Sequence, residues 1–319
     1  MNSSTGYRMK SWEWLLLILL SMVMGGAFFF SKVALAELRP FTVVLGRVGM
    51  AAILLNLLVR ASGQKMPTSR QQWGRFLLMG LLNNLIPFSL IFYGQTQIPS
   101  SLASILNATT PLWLVVLAHF LTRDERLTTN RLGGVLFGLV GIVVMIGPDA
   151  LAGLGLNVMA QLAVLAAAAS YALAAIFGKR FKGTPPLITA TGQVTCTALI
   201  MLPIVLLVDR PWTVALPGIQ TWGALIGLAV ISTTLSYIIY FRLLASIGAT
   251  NLSLVAYLIP ISALLLGVII LGEQIAPRHL LGMGVISLGL MTTDGRLFAF
   301  IKQRWPKRTV AINLENEPV

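Results

Sequence analysis

Residues 104–125 read SILNATTPLWLVVLAHFLTRDE, and residues 253–273 read SLVAYLIPISALLLGVIILGE. In both stretches a serine stands seven residues before a proline, an apolar run follows the proline, and a glutamate ends the run. An apolar run of this length, uncharged until its end, is typical of a membrane-spanning helix. The two stretches therefore predict two related spans in one membrane protein.

The similarity extends well beyond these two stretches. Shifting the chain against itself by 147 to 149 residues aligns a collinear set of aromatic, proline, glycine and charged positions. Such a set indicates an internal repeat. The aligned pairs are Trp73 with Trp222, Phe92 with Phe241, Ser104 with Ser253, Pro111 with Pro260, Glu125 with Glu273, Gly134 with Gly282, Gly141 with Gly289 and Lys32 with Lys179.

The composition supports a membrane protein over the whole length. Of 319 residues, 56% are hydrophobic and 10% are charged, whereas a soluble domain has about 25% charged residues. Gly, Pro and charged residues divide the apolar runs into ten segments, each long enough for a span. The predicted spans are roughly 12–34, 41–60, 73–93, 99–121, 131–147, 157–178, 187–208, 220–241, 249–271 and 279–296.

Five spans per repeat is an odd number, so the second repeat enters the membrane in the opposite sense to the first. The predicted fold is an all-α integral membrane protein with ten transmembrane helices, arranged as an inverted repeat of two five-helix halves. The halves are residues 1–150 and 151–298, and residues 299–319 form a basic cytoplasmic tail. Transporters with inverted repeats bind their solute near the bilayer midplane, between the halves.

The net charge of +13 is explained by membrane topology rather than by nucleic acid. With both termini in the cytoplasm, most of the 23 Lys and Arg residues fall in cytoplasmic segments, as the positive-inside rule requires. The exceptions are Lys32, Arg39, Arg210 and Arg278 on the opposite face, and Arg47 within a span. We expect a multi-pass protein of a bacterial inner membrane, with the lipid bilayer and a small solute as partners and no nucleic acid. The oligomeric state stays open.

Two motifs carry a family resemblance. Thr110-Pro111-Leu112 runs to Glu125 and Gly134, and Ile259-Pro260-Ile261 runs through Leu271-Gly272-Glu273 to Gly282. The chain resembles the drug/metabolite transporter superfamily, and within it the ten-helix EamA-type exporters, which include exporters of aromatic amino acids. The resemblance covers residues 12–291 and implies export of a small metabolite by alternating access.

Arg47 is the candidate anchor for a solute, because it is the one cation placed inside a span. A guanidinium facing a cavity can hold a carboxylate. The alternative is a structural arginine whose side chain reaches the membrane surface.

Further candidates are polar and aromatic residues placed within the spans. Asn83 stands four residues before Pro87, and proline leaves the carbonyl at that spacing without its helical donor. Pro111 and Pro260, at matched positions, are candidate bending points of a gate; a static kink is the alternative. The predicted substrate-binding set is Arg47, Asn83, Asn84, Asn107, Trp113, Tyr171, Gln193, Tyr237 and Tyr257.

The ten Asp and Glu residues all map to termini, loops or span ends, which argues against a proton relay built on a buried carboxylate. This distribution favours a uniporter or an exchanger. No motif of a membrane-embedded enzyme occurs, and no cofactor is expected. His119, His279 and the single cysteine, Cys196, lack companions at ligand spacing, so no metal site is expected.

The leading hypothesis is export of an aromatic or hydrophobic amino acid through a cavity between the halves. An antiporter of sugar phosphates or nucleotide sugars is an alternative, although a dianionic phosphate calls for two or more buried cations. An exporter of drugs or cations, a channel and an embedded enzyme are further alternatives.

Overall fold

The structure, a computed structural model, describes residues 9–122, 128–147 and 155–293, and these ranges are helical, with no strand among them. The carboxylates Asp124, Glu125, Asp149, Asp294, Glu315 and Glu317 and the predicted tail at 299–319 lie outside the described residues. The α-helices are α1 (Ser11–Ala34), α2 (Pro40–Ala61), α3 (Arg70–Gly80), α4 (Ile86–Gln95), α5 (Ser100–Asn107), α6 (Thr110–Leu121), α7 (Thr129–Ile146), α8 (Leu156–Gly178), α9 (Pro186–Ile204), α10 (Ile219–Ile226), α11 (Ser236–Leu252), α12 (Val255–Ile269) and α13 (Pro277–Thr293).

Three π-helical segments lengthen these helices. Leu81–Leu85 joins α3 to α4, Gly227–Leu235 joins α10 to α11, and Val205–Asp209 extends α9. A π-helical turn shifts the helical phase by one residue, and such turns are frequent at functional sites. The two joining segments occupy overlapping positions of the predicted repeat.

Eight helical stretches of the described chain are long and apolar enough to cross a membrane. The all-helical, multi-pass prediction is therefore confirmed. Helices α12 and α13 are shorter, at 15 and 17 residues, so the ten crossings and the inverted orientation stay predictions. The eight stretches are Ser11–Ala34, Pro40–Ala61, Arg70–Gln95, Ser100–Leu121, Thr129–Ile146, Leu156–Phe181, Pro186–Thr213 and Ile219–Gly248.

The boundary between the eighth and ninth spans lies at Gly248. The eighth apolar stretch ends there, and the helix that runs from Ser236 to Leu252 joins two helices across a kink at this residue, which agrees with the prediction that the ninth span begins at residue 249. The change of direction lies at Gly248, whose φ of +73° departs from helical geometry inside α11. Glycine adopts this backbone conformation without the steric cost that a side chain adds.

The helices pack in reciprocal pairs. Helix α4 of the first repeat packs on α8 of the second, and the corresponding contact is that of α10 and α11 with α1. Likewise, α6 of the first repeat packs on α8, and the corresponding contact is that of α12 with α1. Equivalent helices also contact each other, as α2 does with α9 and α7 does with α13. This is the pattern that a two-fold relation between two halves predicts.

Helices α7 and α13 approach closely along a ridge of glycines. A methyl group at Gly134 would lie 2.5 Å from the Gly289 carbonyl oxygen, and one at Gly282 would lie 2.8 Å from the Gly141 carbonyl oxygen. Small residues at such crossings let backbones approach, which is how helices associate in lipid. The glycines of these two helices therefore have the packing role expected of them.

Carboxylates tie the two halves together at one end of the molecule. Glu273, in the loop after α12, accepts hydrogen bonds from the backbone amides of Ser100 (2.6 Å) and Ser101 (3.0 Å) and from the Ser101 hydroxyl (2.5 Å). It thereby caps the amino terminus of α5, where the helix dipole favours negative charge. Gly267 leaves room for this carboxylate, since a methyl group there would lie 2.5 Å from it.

Two further carboxylates repeat this arrangement. Asp209 accepts from the amide (2.7 Å) and hydroxyl (2.8 Å) of Thr42, in the first turn of α2. Glu37 accepts from the amide of Gly218 (2.6 Å) and the hydroxyl of Thr221 (2.8 Å), at the start of α10. These hydrogen bonds, first that from Gly218, lower the pKa of Glu37 below its ordinary value. We call the end that holds Glu37, Asp209 and Glu273 the capped end.

Glu13 lies in the first turn of α1, fully buried, where it accepts from its own helix start at Lys10 (2.8 Å) and from the Ser246 hydroxyl of α11. The four described carboxylates thus lie at helix ends or in loops, as predicted. Each is held by backbone amides or hydroxyls.

We predict that Gly134→Ala destabilises the protein by about 1 to 3 kcal/mol, because the added methyl overpacks the contact between α7 and α13. The neighbouring Gly133→Ala is the matched control, since its nearest foreign atom would be the Thr292 methyl at 4.0 Å. Alanine favours a helix over glycine by up to about 1 kcal/mol, so Gly133→Ala should preserve or raise the melting temperature. Thermal unfolding in detergent measures both variants, and equal melting temperatures would contradict the close approach.

Candidate functional site

A cavity of about 640 Å³ lies between the two halves. Small-molecule sites commonly measure about 300 to 1,000 Å³. At one end the cavity reaches Gly178, Phe181, Thr184 and Pro186, around the loop between α8 and α9, and we call this end the mouth. At the other end it stops among Ser31, Phe92 and Ser104, within about one turn of the helix ends that meet at the capped end.

The cavity is sealed toward the capped end by a polar contact between α1 and α4. The Ser31 hydroxyl donates to the Gln95 side-chain oxygen (2.6 Å), and the Gln95 amide donates to the Phe28 carbonyl (3.0 Å). Lys32 donates to the carbonyls of Gln95 (2.6 Å) and Ile98 (3.1 Å). A cation here satisfies carbonyls that the end of α4 leaves without helical donors.

Arg47, on α2, lies in the cavity wall and is 8% exposed. Its Nε donates to the Thr233 hydroxyl (3.0 Å), and its guanidinium carbon lies 3.9 Å from the centroid of the Phe88 ring. These two contacts fix the plane of the guanidinium through a hydrogen bond and a cation–π interaction. No described carboxylate lies within ion-pair distance, so the edge formed by its two terminal nitrogens stays available to a solute.

Thr233 is held in place by the π-helical segment that joins α10 to α11. Its hydroxyl donates to the carbonyl of Leu228, five residues earlier (2.8 Å), and therefore turns its lone pair to Arg47. Thr234 makes the same bond to Ala229 (2.9 Å). The wider π-helical turn thus orients the acceptor on which the arginine depends.

The π-helical segment 81–85 lies directly before Pro87, in the first turn of α4. The amide of Ile86 bonds to the carbonyl of Leu81, five residues back, and α4 continues from there past Pro87. Asn83 then faces the cavity and donates to the Gln193 side-chain oxygen of α9 (3.2 Å). Gln193 donates in turn to the Tyr237 hydroxyl (3.3 Å). A chain of neutral polar groups therefore crosses the cavity wall from α3–α4 to α11.

Asn107 lies where α5 gives way to α6. The Thr110 hydroxyl donates to the Asn107 carbonyl (2.7 Å), which Pro111 deprives of its helical donor. The Asn107 side-chain oxygen lies buried in the cavity wall without a hydrogen-bond partner. It is a neutral acceptor beside the cavity whose hydrogen-bonding capacity the described chain leaves unused.

The cavity brings together seven of the residues predicted as site or gate. Aromatic rings cover much of the remaining wall, including Phe28, Phe92 and Tyr240. The lining residues that were predicted are Arg47, Asn83, Asn107, Pro111, Tyr171, Gln193 and Tyr237.

Three predicted binding residues do not line the cavity, because neighbouring residues turn about 100° around a helix. Asn84, one position after Asn83, is 1% exposed and donates to the Thr197 hydroxyl of α9 (3.4 Å). Trp113 stands two positions after Pro111 and faces away, with its indole nitrogen buried. Tyr257 packs against the apolar core, while its neighbours Ala256 and Ile259 line the cavity. The predicted gate residue Pro260 is likewise buried inside α12, away from the lining.

Sequence analysis missed Thr233 and Phe88, the two residues that hold Arg47. A signal for Thr233 existed, since it aligns with Asn84 at the repeat offset of 149 and lies in the polar run Ser232-Thr233-Thr234. Phe88 has no such signal, because one more aromatic residue in an apolar span is unremarkable. Among the described residues no group of three or more His, Cys, Asp or Glu lies close enough to hold a metal ion.

This chain is similar in sequence to other proteins over most of its length. It is 25% identical over 280 residues to the "uncharacterized transporter YoaV" of Bacillus subtilis (strain 168), covering 86% of this chain and 94% of that protein. Identity to the "uncharacterized inner membrane transporter YedA" of Escherichia coli K12 is 25% over 288 residues, covering 88% and 91%. Protein PecM of Dickeya dadantii (strain 3937) is 28% identical over 290 residues, covering 89% and 93%.

A solved crystal structure superposes with a TM-score of 0.63 at 18% identity, covering 89% of this chain and 98% of the other, which supports the fold. The sequence profile of the EamA-like transporter family matches twice, at residues 11–147 and 158–293. With both matches together spanning most of its length, the chain belongs to the EamA-like transporter family, within the drug/metabolite transporter superfamily.

Proposed function

We propose that this transporter exports small metabolites that carry a carboxylate on an apolar body, through the cavity between its halves. Hydrophobic and aromatic amino acids are the members of this class that the family resemblance favours. The observation that carries the proposal is Arg47, a buried cation whose plane is fixed and whose terminal edge has no protein partner in the described chain.

The chemistry of Arg47 suits a carboxylate. Two parallel N–H groups on one edge of a guanidinium match the two oxygens of a carboxylate. The neighbouring Phe88, Phe92 and Tyr171 rings offer apolar contact to the rest of the solute. A solute with one carboxylate and an apolar or aromatic body therefore fits the wall as it stands.

Export is supported by charge distribution. The mouth lies beside Lys179, Arg180 and Lys182, in a loop that the positive-inside rule assigns to the cytoplasm. In this orientation both termini are cytoplasmic, the membrane is the bacterial inner membrane, and the cavity is open to the cytoplasm. The structure then corresponds to the state that loads solute for export.

Release on the other side requires the capped end to open. In this alternating-access proposal the caps made by Glu37, Asp209 and Glu273 break, while contacts form around the mouth. Pro111, in the cavity wall, and Pro260, inside α12, are the proposed bending points.

Other solutes fit less well. A sugar phosphate or nucleotide sugar is a dianion, and the described cavity lining supplies one cation, Arg47. A cationic drug would meet that same cation and no described Asp or Glu in the lining. The relatives and the family profile describe transporters, which favours transport over enzymatic activity.

We predict that Arg47→Ala weakens carboxylate binding, raising the half-saturation concentration roughly 10- to 100-fold. A hydrogen bond to a charged group contributes about 1.5 to 3 kcal/mol, and 1.4 kcal/mol is a factor of ten. Arg47→Lys should give an intermediate value, because it keeps the charge and loses the paired donors. Counterflow of labelled phenylalanine and 3-phenylpropanoate in proteoliposomes measures both variants.

The matched control is Arg60→Ala, the same substitution at an exposed position of the same helix. It should leave the half-saturation concentration unchanged. If Arg47→Ala transports every carboxylate as the parent protein does, Arg47 is a structural residue and the carboxylate proposal is wrong.

We predict that Glu273→Gln opens the capped end more often, because a neutral amide interacts less favourably with the start of α5 than a carboxylate does. Ser104→Cys, in a Cys196→Ser background, reports the opening from the capped-end side, since Ser104 lines the cavity near that end. A membrane-impermeant thiol reagent added on that side should label this cysteine several-fold faster in the Glu273→Gln protein.

Thr189→Cys, which lines the cavity nearer the mouth, is the companion reporter from the opposite side. Its labelling should slow when the capped end opens. Faster labelling of both cysteines from both sides would indicate general loosening, and unchanged labelling of Ser104→Cys would show that Glu273 does not hold the capped end closed.

A further inference from the structure

The cavity carries a single uncompensated positive charge. Arg47 contacts a hydroxyl and a ring, and no Asp or Glu belongs to the described lining. The four described carboxylates are held elsewhere, by the helix starts at residues 10–13, 42, 100–101 and 218–221. In the described chain the fixed charge of the wall is therefore +1.

The groups around Arg47 are neutral. Tyr171 and Tyr237 lie near enough to interact with it electrostatically, and both line the cavity. Gln193 contributes a side-chain oxygen that already accepts from Asn83, and the Thr233 hydroxyl already donates to its own backbone. Among the described lining residues, none is an anionic partner for a solute's ammonium group.

We propose that the transported solute is a net monoanion, a carboxylate on an aromatic or apolar body without a charged amino group. This inference rests on the proposed carboxylate export and narrows its substrate class, because it excludes the zwitterionic amino acids that the family resemblance favours. A monoanion bound at Arg47 makes the loaded cavity electrically neutral. A zwitterion leaves it at +1 and a dianion leaves it at −1, and an uncompensated charge is costly where water and lipid headgroups are remote.

The mouth adds an electrostatic argument. Lys179, Arg180 and Lys182 are exposed beside Phe181 and Thr184, which line the mouth. A positive potential around an opening raises the local concentration of anions. A net anion is therefore attracted at the mouth and neutralised at Arg47. A zwitterion has no net charge to be attracted at the mouth, and when its carboxylate binds Arg47 its ammonium group stays uncompensated.

The same charge balance sets a driving force. Export of a monoanion moves one negative charge out of a cell whose interior is negative, so the membrane potential favours export. No coupling ion is then required, which agrees with a described lining that contains no carboxylate.

The test is counterflow in proteoliposomes at pH 7.5 with four solutes that share a phenyl body: 3-phenylpropanoate, phenylalanine, phenylethylamine and phenyl phosphate. These are a monoanion, a zwitterion, a cation and a dianion. The expected result is at least tenfold better exchange of 3-phenylpropanoate than of each of the others. Protein-free liposomes correct for leakage of the uncharged acid, and Arg60→Ala protein is the control for substitution.

Asn107 provides the decisive variant. Its side chain lines the cavity and its buried side-chain oxygen has no hydrogen-bond partner, so a rotation of this side chain could present an acceptor to a solute ammonium. Under the proposal, Asn107→Ala changes the half-saturation concentrations of 3-phenylpropanoate and phenylalanine by the same factor. A preference for phenylalanine that Asn107→Ala removes would overturn the monoanion proposal and leave carboxylate export intact.

A second readout is voltage. An inside-negative potassium diffusion potential should raise the efflux rate of 3-phenylpropanoate and leave the efflux rate of phenylalanine unchanged. Efflux of 3-phenylpropanoate that ignores the potential would also overturn the proposal. If neither carboxylate exchanges in a protein that retains its melting temperature, the proposed function itself fails, and the inference fails with it.

Discussion

Hydrocarbon offers no hydrogen bonds, and this constraint decides where each polar group of the protein lies. Side chains within the helices bond to backbone carbonyls, as Ser232 does to Val23 (2.9 Å) and Ser262 to Ser21 (2.7 Å), both across a helix–helix contact. Carboxylates lie at helix starts, where backbone amides lack helical acceptors. A polar group that remains without a partner is therefore informative, because the fold supplies partners almost everywhere else.

Arg47 is the clearest of these exceptions. Its Nε donates a hydrogen bond to Thr233, and the Phe88 ring packs against the face of its guanidinium. The protein has therefore oriented the guanidinium without neutralising its charge. A structural arginine in lipid would be paired or would extend to the membrane surface. A buried, oriented and unneutralised guanidinium in a cavity wall has the properties of a binding group.

Much of the fold could be predicted from the sequence, because apolar length and positive charge are physical properties of a segment. The described helices begin and end close to the expected spans, and the kink at Gly248 lies where the ninth span is predicted to begin. The site was predictable as a region, since polar residues are rare in these spans. Which member of a pair faces the cavity was not predictable: Asn83 and Asn84 are neighbours, and a π-helical turn between Leu81 and Leu85 sets their phase.

The π-helical segments and the end caps together offer an explanation of how a rigid bundle could hold both the proposed binding group and the proposed gate. The segment at 227–235 fixes Thr233, and hence Arg47, through bonds that span five residues within one helix. The caps at Glu37, Asp209 and Glu273 instead join different helices, across loops. Bonds within a helix survive when helices tilt, whereas bonds between a loop and another helix must break. The contacts that orient Arg47 join α2 to the segment 227–235 and to α4, so the proposed release requires these helices to move together while the capped end separates.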